Sequence, residues 1–251
     1  MRKIWILTLG MFALGVDTYI VAGLLPDIGQ DFHKSSSEVG QGVTVFTLCF
    51  AISAPLFSTL LAKMPVKKSL IVALILFSGA NILTALSPNY IIYIISRCIA
   101  GLGAGLFSPM AISSASYLVP SHHKGKALAF TVGGMSVGTV IGVPVGLQLA
   151  RIFNWRTTIV VIILIGLVAL VSILFSLSNF KMSAPPSLSA RFKLFLNMHV
   201  LRVVSVTICA AIASLGLYTY LADVIITFLS PLNISLFPVS YTHLRAHETR
   251  E

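Results

Sequence analysis

The chain has 251 residues, of which 57% are hydrophobic and only 10% charged, and its mean hydropathy is +0.96. Soluble domains carry roughly 25% charged residues, so a water-facing surface is excluded and an all-α polytopic membrane protein is expected. The formal net charge of +10 would suit nucleic acid or an anionic surface, but the placement of the charges decides against nucleic acid.

Met1-Arg2-Lys3 ahead of an apolar run has the form of a signal peptide. The run continues to Leu25 and more spans follow, so a first transmembrane helix is the better reading. Predicted spans fall at about 4–25, 42–62, 69–87, 90–112, 126–149, 157–178 and 200–222, most of them near the ~20 residues that cross a bilayer. Short connections separate them: Pro26 to Ser37, Lys63 to Lys68, Ser87-Pro-Asn89, Pro120 to Lys126, and Arg151 to Arg156. The segment Ser178 to Met198, with Pro185-Pro186, reads as a linker between two bundles. The expected organisation is a six-helix bundle over 1–178, a linker over 179–199, the first helix of a second bundle over 200–228, and an irregular tail over 229–251.

Lysine and arginine bias sets orientation. With a cytoplasmic N-terminus, the cytoplasmic side receives Arg2, Lys3, Lys63, Lys67, Lys68, Lys124, Lys126, Lys181, Arg191, Lys193 and Arg202. The other side receives Lys34, Arg151 and Arg156, together with Asp27, Asp31 and Glu38. The basic balance is therefore largely a topology signal.

Two full charges lie inside predicted spans, Asp17 in the first and Arg97 in the fourth. An ionisable residue there costs at least ~2.5 kcal/mol on insertion scales and usually faces a partner or a polar cavity. At ~1.5 Å per residue both are roughly 12 Å from the outer end of their helices, so they are expected to meet at one interior cavity. A carboxylate in that setting can take up and release protons as solvation and pairing change. The alternative is a static pair that only orders helices. Tyr19, Thr44, Thr47, Asn81, Gln148, Tyr218 and Tyr220 are milder polar residues within spans and candidates for a substrate path. Each alone also reads as an interhelical hydrogen bond or an interface anchor.

In the fifth span Gly134, Gly138, Gly142 and Gly146 recur every four residues, with Pro144 in the last turn. Residues four apart share a helix face, and a face without side chains lets membrane helices approach closely. Gly101, Gly105 and Pro109 repeat the spacing in the fourth span. Gly101-Leu-Gly103-Ala-Gly105 does not fit a nucleotide-binding GxGxxG, since position 106 is Leu and no soluble strand precedes it. Cys49, Cys98 and Cys209 lie in apolar runs without CxxC spacing, which argues for packing cysteines over a disulfide framework or zinc site. His122-His123 alone is a weak metal motif, and no metal is expected.

Ser96-Arg97-Cys-Ile-Ala-Gly101-Leu-Gly103-Ala-Gly105-Leu-Phe-Ser-Pro109 resembles the fourth-helix motif of the major facilitator superfamily. Gly138-x-x-x-Gly142-Val-Pro144-Val-Gly146 resembles the fifth-helix motif of its antiporters. Asn154-Trp155-Arg156 is similar to the Trp-Arg pair that opens helix six, and Gly15-Val-Asp17 through Gly23-Leu-Leu-Pro26 to the first helix. The resemblance covers about residues 1–225 and is nearest the drug and sugar efflux branch, the arabinose-efflux-like permeases. It implies an N-terminal six-helix bundle of two inverted three-helix repeats, followed by a seventh helix. It also implies proton-coupled efflux of a small organic molecule such as a drug, sugar or nucleoside by alternating access, with Asp17 and Arg97 in proton coupling. No cofactor is implied beyond the proton gradient, and family members are usually monomeric, partnered by lipid, substrate and protons in a bacterial inner membrane.

There are departures from the family pattern. The loop between helices two and three usually reads Gly-x-x-x-Asp-Arg-x-Gly-Arg-Arg. Here Ser58-Thr-Leu-Leu-Ala62-Lys63-Met-Pro65-Val66-Lys67 keeps basic character through Lys63, Lys67 and Lys68 but lacks the aspartate and glycines. His122 stands where an acid is expected and Asp223 where a proline is expected. The family has twelve helices, whereas Val239 to Glu251 is unlike any eighth helix and has the character of translated adapter sequence. A truncated transporter that does not transport by itself is therefore expected. A symporter or facilitator of the same fold, and a half-protein that assembles with another, are alternatives. A membrane-embedded enzyme would need His-x-x-x-His or paired carboxylates at a membrane face, and the sequence offers neither.

Overall fold

The computed structural model describes residues 2–61, 64–180, 197–210 and 212–213. The chain divides into two units, Met1–Ala184 and Pro185–Glu251. The first unit contains α1 (Arg2–Gly23), α2 (Leu25–Phe32), α3 (Ser36–Leu60), α4 (Val66–Ala85), α5 (Tyr90–Tyr117), α6 (Lys124–Val137), α7 (Val143–Ile152) and α8 (Trp155–Ser176). Six helical segments among the described residues are long and apolar enough to cross a membrane: α1, α3, α4, α5, the run Ser121–Ile152 that holds α6 and α7, and α8. In the second unit the predicted seventh span begins as a helix, α9 (Met198–Ala210); Tyr218, Tyr220 and Asp223 lie outside the described residues.

Helix starts follow local chemistry. Ser35 and Glu38 form a reciprocal capping box: the Ser35 amide donates to Glu38 Oε2 at 2.9 Å and the Glu38 amide to Ser35 Oγ at 3.2 Å, which satisfies two donors that a helix N-terminus leaves free. Asn89 accepts from the Ile92 amide at 3.0 Å ahead of α5, and Asn154 accepts from the Arg156 amide ahead of α8. The Ser35–Glu38 cap lies outside the hydrocarbon-length window, so α3 starts at Ser36 rather than near 42; α5 starts at Tyr90 as expected and runs on to Tyr117 rather than 112.

Two expectations need correction. The stretch Pro26 to Ser37 is mostly helix. α2 follows α1 after a single turn residue, Leu24, whose amide still bonds back to Ile20 and whose carbonyl accepts from Ile28. Pro26 in the first turn lacks only an amide that needs no partner there, and Asp27 complements the helix N-terminus. The fifth span is not a uniform helix either: Gly138–Gly142 is a π-helical turn between α6 and α7. Pro144 cannot complete the ladder below it, and a widened turn is a common way for a helix to absorb such a defect.

The packing has an internal two-fold logic. α1 packs on α6 and α8, α5 packs on α3 and α4, and α4 packs on α8. Exchanging the first three spans with the last three turns the α1 pairings into the α5 pairings and returns α4–α8 to itself, as two repeated three-helix units require. α1 and α5 are exchanged by that operation and touch one another. The buried residues are mainly Ala, Leu, Ile and Val with a few Phe, including Leu14, Ile20, Leu74, Phe77, Ala100, Ala104, Phe107 and Ile162.

Candidate functional site

Asp17 on α1 and Arg97 on α5 meet in the middle of the bundle. Arg97 Nη1 donates to both carboxylate oxygens of Asp17, at 3.0 and 3.2 Å, and the residues are 1% and 0% exposed. The Phe46 ring of α3 lies beneath the guanidinium, with Cζ 4.5 Å from the ring centroid, a position that favours a cation. Arg97 Nε is buried without a hydrogen-bond partner. Nearby, Ser96 Oγ is 2.8 Å from Thr84 Oγ1, and Tyr93 is fully buried with its hydroxyl 3.5 Å from the Val39 carbonyl. Taking two charges out of water costs several kcal/mol per ion, offset only when each is well partnered. Among the described residues, the Asp17 carboxylate has one cation, and Arg97 has that carboxylate and the Phe46 face.

Glycines allow this approach. Gly101 and Gly105 of α5 face the Phe46 and Phe50 carbonyls of α3, while a Cβ on Gly103 would lie 2.6 Å from the Phe77 amide nitrogen of α4. The stripe of the fifth span faces α1 position by position. Gly134 faces Thr8, where a Cβ would lie 2.5 Å from the carbonyl oxygen, and Gly138 faces the Phe12 carbonyl. Gly142 faces the Val16 side chain, and a Cβ on Gly146 would lie 2.9 Å from Ile20 Cδ1. Both partners of this contact advance in steps of four. Pro144 is half-buried one residue beyond the π-turn's C-cap, within α7.

A second ion pair, overlooked as such in the sequence, joins α2 to α8. Arg156 donates through Nη1 to Asp31, through Nε to the Ala85 carbonyl at 3.0 Å, and through Nη2 to the Ser87 carbonyl at 3.0 Å. The Trp155 indole also donates to Asp31, at 3.1 Å, and Arg156 Cζ lies 4.4 Å from the Trp155 ring centroid. Trp155-Arg156 thus ties the ends of α4 and α2 to the start of α8. The signal in the sequence is Asp31 itself, an acid in a stretch whose Pro26 and Asp27 also mark a helix start.

Of the remaining site candidates, Tyr19 on α1, Thr47 on α3 and Gln148 on α7 are exposed. Thr47 also donates to the Val43 carbonyl at 2.9 Å. Asn81 is fully enclosed on α4; its amide donates to the Phe77 carbonyl at 3.1 Å, and its Oδ1 has no partner. Lys67 donates to the Leu174 carbonyl at 2.8 Å at the end of α8, where a cation complements unpaired carbonyls. Lys68 is exposed and Lys63 lies outside the described residues. Among the described residues no cluster of metal-ligating side chains occurs.

The exposed faces differ in chemistry. On α8 they are purely hydrocarbon: Val160, Leu164, Val168, Val171, Leu174 and Phe175. On α3 and on the fifth span they include Gln41, Thr44, Thr47, Ser136 and Gln148, and these two spans are the least buried of the six. Lipid tails suit the first kind of face. The second kind fits a polar cavity or another protein surface.

Residues 7–243 match the sequence model of the Major Facilitator Superfamily. The chain is 34% identical over 220 residues to an uncharacterized MFS-type transporter, YbcL, of Bacillus subtilis, covering 88% of this chain and 56% of that one. It is 27% identical over 231 residues to the inner membrane transport protein YdhP of Escherichia coli, covering 91% and 59%. The chain therefore spans a little over half the length of the curated relatives it matches. Among solved structures, the inward open conformation of the xylose transporter XylE from E. coli aligns with a TM-score of 0.62 at 18% identity, covering 93% of this chain and 62% of that one. A peptide transporter, POT, in complex with alafosfalin aligns at 0.63 with 13% identity, covering 89% and 50%.

Proposed function

Since the chain belongs to the Major Facilitator Superfamily, we propose that it is the proton-binding half of a secondary transporter that exports a small organic molecule, such as a drug, sugar or nucleoside, against proton entry. The observation that carries this reading is the enclosed Asp17–Arg97 pair, set between the two helices that the internal repeat exchanges. Asp17 is the proton acceptor. Arg97 is its modulator: it pairs with the carboxylate and is left without a counter-charge when the proton arrives. The stranded cation then favours a rearrangement of α1 against α5, and alternating access is the movement such a rearrangement would drive.

Tyr19, Thr47 and Gln148 border the substrate path on the partly polar faces of α1, α3 and α7, with Asn81 and the tyrosines Tyr218 and Tyr220 as further candidates. Those faces meet a second bundle, which the relatives' greater length also suggests. Gly134, Gly138, Gly142, Pro144 and Gly146 keep α1 and the fifth span in close contact while the halves rock. Lys63, ahead of α4, and Lys67 and Lys68, in its first turn, mark the cytoplasmic side, and the protein sits in a bacterial inner membrane with its N-terminus inside. No cofactor is needed beyond the proton gradient.

Infrared difference spectroscopy of the protein in lipid bilayers tests the proton site. A protonated-carboxyl band that grows as pH falls and vanishes in Asp17→Asn is expected; the absence of any Asp17-dependent band across the pH range in which the fold persists would overturn the assignment. Vesicles holding this chain alone are expected to show no proton-driven substrate flux, and measurable flux would remove the need for a second bundle.

A further inference from the structure

Cys49 on α3 and Cys98 on α5 stand with their sulfurs 3.1 Å apart, both half-buried. Spacing in the sequence does not pair them; the helix contact does. Gly101 lets α5 lie against α3 at this level, since a Cβ there would sit 3.1 Å from Cys49 Cβ. One turn further along α3, Ser53 donates to the Leu102 carbonyl at 2.6 Å. The two helices are therefore held together within about one turn of the thiols, and Cys98 directly follows Arg97.

We propose that Cys49 and Cys98 form an oxidisable dithiol whose disulfide fastens the second span to the fourth beside the buried ion pair. A disulfide needs a sulfur separation of about 2.05 Å, so closure asks for a movement of about 1 Å, within reach of side-chain rotation. The oxidant is a lipid-soluble quinone, which suits thiols at membrane depth better than a polar oxidant. Two S–H bonds are lost and one S–S bond forms, and the two electrons and two protons reduce the quinone to its hydroquinone. Neither helix is displaced by a turn, so the oxidised protein keeps its fold. What changes is the freedom of α3 to slide past α5. Cys209 is exposed on α9 in the other unit and serves as an internal reference thiol.

The test uses the whole chain in detergent or bilayers, treated with a fully substituted benzoquinone that cannot add to thiols. After denaturation, free thiols are counted by maleimide mass shift. The count is expected to fall from three to one and to return with a reductant, and a peptide joining Cys49 to Cys98 is expected in the digest. Cys49→Ala and Cys98→Ala are each expected to keep both of their thiols through the same treatment. Retention of all three thiols in the native chain would overturn the proposal. So would a loss that Cys209→Ala abolishes, because that would make Cys209 one of the bonded thiols.

Discussion

Two arginine–aspartate pairs among the described residues are built on opposite plans. Asp31–Arg156 is partly exposed, at 38% and 29%, and its arginine is held four ways, by a carboxylate, two helix-end carbonyls and an indole face. Asp17–Arg97 is sealed, and its arginine has one carboxylate, one aromatic ring and an unused Nε. A redundant set of partners near water makes a fastening that survives the loss of any one of them. A minimal set in a low-dielectric interior leaves a buried charge uncompensated when either partner is removed. The same two side chains thus make a redundant fastening in one place and a mutually dependent pair in the other.

That contrast is broken most forcefully at Asp17. Asp17→Asn is expected to destabilise the bundle by about 3–5 kcal/mol, because it leaves a buried guanidinium unpaired, as measured by thermal or denaturant unfolding in detergent. Asp17→Leu with Arg97→Met should recover most of that loss, so the double-mutant cycle should be strongly non-additive. Simple additivity would mean the pair is not coupled. At the other pair, Arg156→Lys should cost about 1–2 kcal/mol, since lysine cannot serve three acceptors from one planar fork or stack on Trp155. Asp31→Asn should cost about 1 kcal/mol or less, because exposure screens the lost charge and the carbonyl contacts of Arg156 stay in place. The smallest effect is that of salt. Raising the ionic strength to about 1 M shortens the screening length to roughly 3 Å; this should shrink the Asp31→Asn penalty and leave the Asp17→Asn penalty unchanged. Equal salt responses would erase the distinction drawn between the two sites.

Asp17 and Arg97 were legible in the sequence because a charge inside an apolar run has few explanations, and helix rise turns residue counts into depth. Asp31 was not legible. A charge near a membrane surface is unremarkable, and its partner lies more than a hundred positions away on another helix. α2 was obscured by the same residues that start it: Pro26 and Asp27 mark a helix N-terminus as well as a loop, and only the continuing ladder through Leu24 decides. The capping box at Ser35 and Glu38 was readable but concealed by a window tuned to hydrocarbon length. The glycine stripe announced a close contact without naming the neighbour; the structure supplies α1. The π-turn had no signal beyond Pro144. The contact of Cys49 with Cys98 had none, since it depends on how two helices are phased against each other.

The contact between that stripe and α1 is mechanically graded. Gly134 and Gly138 lie against carbonyl oxygens of α1, which cannot rotate away, and Gly142 lies against Val16, a β-branched side chain that a helix holds largely to one rotamer. Gly146 meets the far end of Ile20, which can still turn about its second torsion. The π-turn closes at Gly142, one step before that yielding contact. The pair of helices is therefore unyielding over its first three steps and gives only at its last, so a side chain added at Gly134, Gly138 or Gly142 has to move one helix away from the other.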